Sequence, residues 1–318
     1  MTLPLSPDAA LPVAEALPRL LGVLAAGRNA VLVAPPGAGK TTLVPLALLA
    51  APWAAAGAAA AGAAAGGAAA GGRILVLEPR RVAARAAAAR MAALRGEAVG
   101  QVVGYRTRFD SAVSDATRIE VITEGLLVRR LQADPGLAGV AAVVLDEVHE
   151  RALDSDLALA LCLDLQRGYR PELRLLAMSA TVDAARLSAL MAAEVVESPG
   201  RAHPVTIRHA ARDLAAPREL PEAVARAVRA AMAETAGDIL AFLPGMAEIR
   251  RAEAALAGSG ALVLPLHGAL SAAAQDLALR PAAGRRVVLA TAIAETSLTV
   301  PGVRVVVDGG WRRAPRLD

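Results

Sequence analysis

This sequence is poor in the residue types that most often anchor an assignment. It has one cysteine, Cys162, so no internal disulfide can form, and a reducing cytoplasmic setting is expected. Its four histidines show no paired spacing, which argues against a zinc site. Aromatics make up 2% of a chain that is 55% hydrophobic, and alanine supplies most of the difference. Residues 54–72 are nothing but alanine and glycine. Lacking the Leu, Ile and Phe that favour membrane insertion, this stretch reads as an exposed low-complexity insertion and not a membrane span. The opening residues, Met1 to Asp8, hold prolines and an acid where a secretory signal places a basic and then an apolar run. A net charge of +4 permits nucleic-acid binding without arguing for it.

Scarcest of all is lysine. Of 34 basic residues, Lys40 is the one lysine and the rest are arginine. Arginine is planar and forked, whereas lysine is a compact charge on a thin stem. Lys40 stands in Gly37-Ala38-Gly39-Lys40-Thr41-Thr42, and a glycine loop closing round a phosphate has room for the second shape and not the first. Lys40 therefore reads as a phosphate ligand.

A length of 318 residues suggests two domains. Helical spacing over Leu11–Leu24 predicts an entry helix. The apolar run Asn29–Ala34 then leads through the glycine loop into a helical stretch, Thr41–Leu49. Further apolar runs at Ile74–Leu77, Ile119–Ile122, Val140–Leu145 and Leu173–Met178 alternate with helical segments at Val82–Leu94, Glu124–Leu131 and Leu157–Gln166. Fully apolar strands alternating with helices predict a parallel sheet covered on both faces. Pro199, Gly200, Pro204 and Pro217 break the pattern, which places a linker over 201–218 between a first domain, 1–200, and a second, 219–318. The alternation then resumes, with strands at Ile239–Leu243, Leu262–Leu264, Val287–Ala290 and Val303–Val307 and helices at Glu219–Glu234, Gly245–Leu256 and Ser271–Leu279. The expected architecture is two α/β units in tandem.

Strand, glycine loop and helix in that order form the context of a phosphate loop. Backbone N–H groups from Gly37 to Thr41 converge there on a β-phosphate at a helix N-terminus. Lys40 reaches the β- and γ-phosphates, and the Thr41 hydroxyl ligates Mg²⁺. Ala34 stands where the usual pattern has its first glycine. Asp146-Glu147-Val148-His149 directly follows an apolar run. A carboxylate at the C-terminal end of a buried parallel strand is expected beside the loop of a neighbouring strand, where open α/β sheets bind ligands. Asp146 then holds Mg²⁺, and Glu147 deprotonates the attacking water. Ser179-Ala180-Thr181, Glu78-Pro79-Arg80-Arg81 and Thr123-Glu124-Gly125 also end strands, and each by itself reads as a helix cap or a solvated charge. Thr291–Thr299 reads as a polar binding loop.

Taken in order, Gly37–Thr42, Glu78–Arg81, Thr123–Gly125, Asp146–His149, Ser179–Thr181, Phe242–Gly245 and Thr291–Thr299 resemble the successive motifs of DEAH-box RNA helicases. The wording of Ala34–Thr42, Glu78–Arg81 and Asp146–Arg151 looks most like the bacterial HrpB-type branch. The resemblance spans nearly the whole chain outside the Ala/Gly insertion. It implies two tandem RecA-like, P-loop NTPase domains with ATP and Mg²⁺ as cofactors and single-stranded RNA, or an RNA duplex with an overhang, as partner. Movement along RNA would run 3′ to 5′. By the same resemblance, Arg80, Arg81, Thr123, Glu124, Gly125 and Thr291 bind RNA, Ser179 and Thr181 couple nucleotide state to domain movement, and His149 reports hydrolysis to the second domain. Family members hold adenine between an arginine and an aromatic. The matching positions are Arg90 and Leu279, and the aliphatic Leu279 implies relaxed nucleoside selectivity.

One family feature has no match here. A Gln-Arg-Gly-Arg segment, whose arginines reach the γ-phosphate, does not follow Val307–Arg313. Arginines of that kind contribute about 10³–10⁵ in rate. The second domain is thus expected to be incomplete and the chain a truncated product. Two alternatives to a working RNA helicase follow: an ATP- and RNA-binding module with little turnover, or a DNA translocase.

Overall fold

The computed structural model describes residues 11–54, 72–180, 184–200, 204–211, 213–214, 216–295 and 298–313. The chain divides into two compact units, Met1–His203 and Pro204–Asp318. The expected linker falls partly outside the described residues. Residues 204–210 form neither helix nor strand, and a 3₁₀ turn, Pro217–Glu219, leads into the next helix.

The strands of the first unit are β1 (Asn29–Val33), β2 (Arg73–Glu78), β3 (Val103–Arg106), β4 (Ser111–Ala112), β5 (Ile119–Thr123), β6 (Val140–Leu145), β7 (Arg174–Ser179) and β8 (Ala193–Glu197). The apolar runs β1, β2, β5, β6 and β7 are buried nearly end to end. Their order in the sheet is β4-β3-β5-β2-β6-β7-β1-β8, and every pairing is parallel except β3 with β4. One face is covered by α1 (Leu17–Ala25), α2 (Lys40–Leu49) and α3 (Arg81–Arg95), around Leu20, Leu43, Leu48, Ile74, Val76, Val144 and Met91. The other is covered by α4 (Glu124–Ala133), α5 (Leu153–Gly168) and α6 (Ala185–Met191), around Leu75, Leu77, Val143, Leu145, Leu159 and Leu175. Odd and even residues of β2 and β6 thus serve opposite cores, which is why both strands are apolar throughout.

The expected elements form within a few residues of their expected bounds. Besides the short helix α6, two features of the sheet are additions. The sheet's edge is the hairpin β3–β4, whose short strands carry too little alternation to be seen in sequence. Gly104 makes this hairpin possible, because a Cβ there would fall 2.4 Å from the Ala112 carbonyl. The other addition is β8 on the far edge, only partly buried. The Ala/Gly insertion begins and ends inside the fold: the Ala54 carbonyl accepts from Gly72 N–H at 2.7 Å and from Arg118 Nη2 at 3.2 Å. Residues 55–71 between these anchors lie outside the described set.

The second unit holds β9 (Asp238–Phe242), β10 (Leu262–Leu266), β11 (Arg286–Ala290) and β12 (Val303–Asp308) in the order β10-β11-β9-β12, all parallel. Helices α7 (Leu220–Glu234) and α8 (Met246–Ala255) pack on one core; α9 (Ala272–Leu279) packs on the other. Arg286 is buried at 1% exposure and pairs with Asp238 at 2.7 Å. Its guanidinium also donates to the carbonyls of Ala278, Arg280 and Pro301, so the buried charge is fully partnered. Among the described residues no helix is long and apolar enough to cross a membrane.

Candidate functional site

The phosphate loop runs from the end of β1 to the start of α2. Gly37 and Gly39 adopt φ of 76° and 89°, values that side chains resist, so the tight turns fall on the two glycines. Gly39 has a second constraint: a Cβ there would lie 2.6 Å from Leu11 Cδ1. Ala34, at the place of the usual first glycine, is buried in extended continuation of β1 and donates its N–H to the Ser179 carbonyl at 3.0 Å. No turn is needed there, which accounts for the alanine. Ala38 is buried and its carbonyl accepts from Val13 N–H at 3.1 Å, tying the loop to the entry segment. Thr42 Oγ1 donates back to the Gly39 carbonyl at 3.3 Å. Lys40 and Thr41 open α2, with their side chains directed at the acids across the sheet edge.

Those acids come from β6. The register places β7 between β6 and β1, so Asp146 does not sit beside the loop of an adjacent strand as expected. The gap is one strand wide, and α2 bridges it. Thr41 Oγ1 donates to Asp146 Oδ2 at 2.5 Å, while Asp146 Oδ1 accepts from Glu147 N–H at 2.8 Å. Lys40 Nζ forms an ion pair with Glu147 Oε1 at 3.0 Å, both side chains under a tenth exposed. Glu147 itself is left-handed, with φ of 51°. A non-glycine residue there is strained by roughly 1–3 kcal/mol, and that turn aims Glu147 back at the loop. Burial, then the charge of Glu147, pushes Asp146 up to about 6.

The oxygens of Thr41 and Asp146 are hard donors at one point, a set that suits Mg²⁺ held by one or two protein groups plus phosphates and water. Among the described residues no three His, Cys, Asp or Glu side chains are grouped to hold a metal by themselves. His149 Nδ1 lies 3.3 Å from Glu147 Oε2 and 3.4 Å from Ala180 N. This nitrogen can serve one of them at a time, as donor to the carboxylate or acceptor from the amide. Ser179 is buried at the end of β7; Thr181 lies outside the described residues.

One buried acid escaped sequence reasoning. Glu78 ends β2 with no solvent exposure, and neither of its carboxylate oxygens has a hydrogen-bond partner. Burial, and then the charges of Asp146 and Glu147, hold its carboxyl well above the usual range. In sequence it read only as the first letter of Glu78-Pro79-Arg80-Arg81.

Beyond Glu78 the same sheet edge opens into a cleft of about 300 Å³ lined by Pro79, Arg81, Arg108, Thr123, Gly125 and Arg129. Arg80 approaches Glu150 at 3.7 Å. Glu124 is largely buried and accepts from Ser155 Oγ at the start of α4, and with Asp154 it adds acidic groups to the lining of this otherwise arginine-rich cleft. Burial, with Asp154 and Glu150 nearby, raises its carboxyl despite that hydrogen bond. Arg108 and Phe109, from the β3–β4 hairpin, were not foreseen. Phe109 is 73% exposed, with the Arg81 and Arg108 guanidinium groups 5.5 and 5.2 Å from its ring centre. The available signal was an aromatic in a polar turn, rare in a chain with six aromatics.

Arg90 is exposed on α3 of the first unit, whereas Leu279 ends α9 in the second and packs against that unit's own core. Thr291 follows β11 and donates its backbone N–H to the Leu266 carbonyl at 3.1 Å. The loop beyond it includes Thr296 and Ser297, which lie outside the described residues.

A glycine loop carrying a buried lysine, opposed by an Asp-Glu pair after a parallel strand, on two α/β units in tandem, defines a P-loop NTPase of the RecA-like helicase class. Residues 14–189 match the DEAD/DEAH box helicase family and residues 219–315 the helicase conserved C-terminal domain. The chain belongs to the DEAD/DEAH box helicase family. Among curated relatives it is 47% identical to the ATP-dependent RNA helicase HrpB of Escherichia coli, over 97% of this chain and 37% of that protein. It is 34% identical to the probable ATP-dependent RNA helicase DHR2 of Saccharomyces cerevisiae, over 95% of this chain and 41% of the relative. The crystal structure of the Escherichia coli DEAH/RHA helicase HrpB superimposes with a TM-score of 0.82 at 46% identity, covering 97% of this chain and 38% of that one. The chain therefore spans about two fifths of the length of these relatives.

Proposed function

We propose that this chain forms the ATP- and RNA-binding motor of an ATP-dependent RNA helicase, using Mg-ATP hydrolysis to move 3′ to 5′ on single-stranded RNA and open duplexes that carry an overhang. The observation that carries the reading is the buried constellation of Lys40, Thr41, Asp146 and Glu147, which brings a phosphate-binding cation, two metal-suited oxygens and a candidate base to one point. Lys40 serves the nucleotide phosphates, and Thr41 and Asp146 hold the ion that neutralises phosphate charge. In the free chain Glu147 is paired with Lys40. When Lys40 turns to the phosphates, that carboxylate is released to take a proton from the attacking water. Gly37, Ala38, Gly39 and Thr42 shape the loop. Ser179 ends β7, the strand between the acids and β1, and His149 follows the two acids. With Thr181, assigned by its place in the same motif, they are the residues proposed to pass on nucleotide state.

The basic cleft supports the RNA half of the reading. Arg80, Arg81, Thr123, Gly125 and the added Arg108 and Arg129 supply contacts to the phosphate backbone, which are independent of sequence. Phe109 offers a face on which a base can stack. Glu124 contributes by fixing the start of α4. Thr291 is assigned the same role in the second unit, with residues 1–200 and 219–318 proposed as the two motor domains and 201–218 as the linker. Arg90 and Leu279 are assigned to the nucleoside, with Leu279 giving weak discrimination among bases. The cytoplasm is the proposed compartment.

RNA-stimulated ATPase tests the proposal. Glu147→Gln is expected to keep ATP binding and to lower turnover by about 10²-fold or more. Unchanged turnover would remove Glu147 from the role of base. Stimulation by DNA equal to that by RNA would favour a DNA translocase, because 2′-hydroxyl contacts are what separate the two. Binding of both ligands without turnover in the unaltered chain would reduce it to a binding module.

A further inference from the structure

Glu78 is a buried acid without a partner, and its position is fixed by the sheet. β2 and β6 are parallel neighbours with Leu77 opposite Leu145, so the next residues on the two strands, Glu78 and Asp146, are also opposite each other. Asp146 N–H donates to the Leu77 carbonyl at 3.1 Å, extending the ladder by one residue at this point. Side-chain parity puts both acids on the same face. Ile74 and Val76 of β2, and Ala142 and Val144 of β6, belong to the core under α2, while their odd-numbered neighbours belong to the opposite core. Glu78 and Asp146 are thus a cross-strand pair on the α2 side, the side from which Thr41 reaches Asp146.

An unpartnered carboxyl with no solvent exposure is costly to keep, and a leucine would fit a strand end of this kind better. The neighbouring acid gives such a carboxyl a task. Asp146 has one oxygen on Thr41 and the other on the Glu147 amide, and no other described group constrains its far side. Among the described residues no three His, Cys, Asp or Glu side chains are grouped as a metal site, and the Thr41 hydroxyl, not Glu78, is the group hydrogen-bonded to Asp146 from the phosphate loop. We infer that Glu78 is a positioning residue for Asp146, its carboxyl lying against that of Asp146 and holding it towards Thr41 and the phosphate loop. The inference rests on the reading of Asp146 as the Mg²⁺-binding acid. Carboxylates that bind metals are commonly held by such outer partners, whose loss weakens metal affinity by about 10–100-fold.

The task needs a side chain of this length that can hydrogen bond to a carboxylate, which an amide does and a leucine does not. The test is fluorescent-ADP binding by the whole chain, titrated with Mg²⁺ and repeated without it, on Glu78→Gln, Glu78→Leu and Asp146→Asn. Glu78→Leu is expected to raise the half-saturating Mg²⁺ concentration by about tenfold or more while leaving Mg²⁺-free nucleotide binding unchanged. Its melting temperature should not fall, since the desolvation cost of a buried carboxyl has been removed with it. Glu78→Gln is expected to stay within about twofold of the unaltered chain, because the amide can still hydrogen bond to Asp146. A Glu78→Leu chain with unaltered Mg²⁺ dependence overturns the inference, as does a Glu78→Gln chain that loses as much as Glu78→Leu. If Asp146→Asn leaves the Mg²⁺ dependence intact, the parent reading of Asp146 fails instead.

Discussion

A single strand, β2, ends in two different environments within four residues. Glu78 is sealed beside Asp146, while Arg81 opens α3 at the lip of an open cleft. On the sealed side, charges lie within about one hydrogen-bond length of each other and solvent screens them little. Removing one partner there leaves another buried and uncompensated, so effects are large and strongly coupled. On the open side each guanidinium is hydrated, interactions are weak singly and salt screens them. The same segment thus carries all-or-none nucleotide chemistry at one end and additive, salt-sensitive binding at the other.

The contrast is broken most severely at Lys40. Lys40→Arg introduces a planar fork where a thin stem now reaches Glu147, and nucleotide affinity is expected to fall by about 10²-fold or more, roughly 3 kcal/mol. Equilibrium binding of a fluorescent nucleotide checks it. Affinity close to that of the unaltered chain would show that the loop does not select for shape.

A smaller effect is expected from pH. Asp146 takes up its proton at about 6 in the folded chain, against an ordinary aspartate value of about 4. Between those values the folded chain holds more protons than the unfolded one, so this site's contribution to stability falls as pH rises through the window. Asp146→Asn is expected to be more stable than the unaltered chain at pH 7, by about 1–3 kcal/mol, with the difference shrinking towards pH 4. Denaturant melts at the two pH values measure it, and an equal difference at both would contradict a raised Asp146.

The open cleft should respond in another way. Arg81→Ala and Arg108→Ala are each expected to weaken RNA binding by about 1 kcal/mol or less and to reduce the slope of log affinity against log salt by about one. Phe109→Ala is expected to lower affinity with little change in that slope. Binding titrations over a range of salt separate the two behaviours. A Phe109→Ala loss that vanishes at high salt would assign its role to arginine placement.

The smallest effect belongs to the insertion. Ala54 and Gly72 are joined by a hydrogen bond at its base, so replacing residues 56–70 by a few glycines and serines keeps the anchors. Stability is expected to change by less than about 1 kcal/mol, since loop-closure entropy varies slowly with length. A larger loss in a thermal melt would give the insertion a structural role.

Much of this fold was legible because a buried parallel strand must be apolar on both faces, and runs such as Val140–Leu145 permit little else. The phosphate loop was legible because Gly37 and Gly39 are required by backbone angles, and the turn chemistry is local. The β3–β4 hairpin was not, because its strands are two to four residues long and interrupted by Gly104. The cleft residues Arg108 and Phe109 therefore went unseen, since their position depends on that hairpin.

By itself the sequence determined the alternation of strand and helix, the loop that binds phosphate, and the order of motifs that places the chain among DEAD/DEAH box helicases. Each of these is local: a few neighbouring residues and their backbone angles suffice. Only the tertiary structure decided that β7 stands between the loop and the acids, that Lys40 is held by Glu147, and that Glu78 faces Asp146. These depend on strand order and register, and a shift of one residue would turn Glu78 to the opposite core. Nothing local in Glu78-Pro79-Arg80-Arg81 records which strand lies alongside.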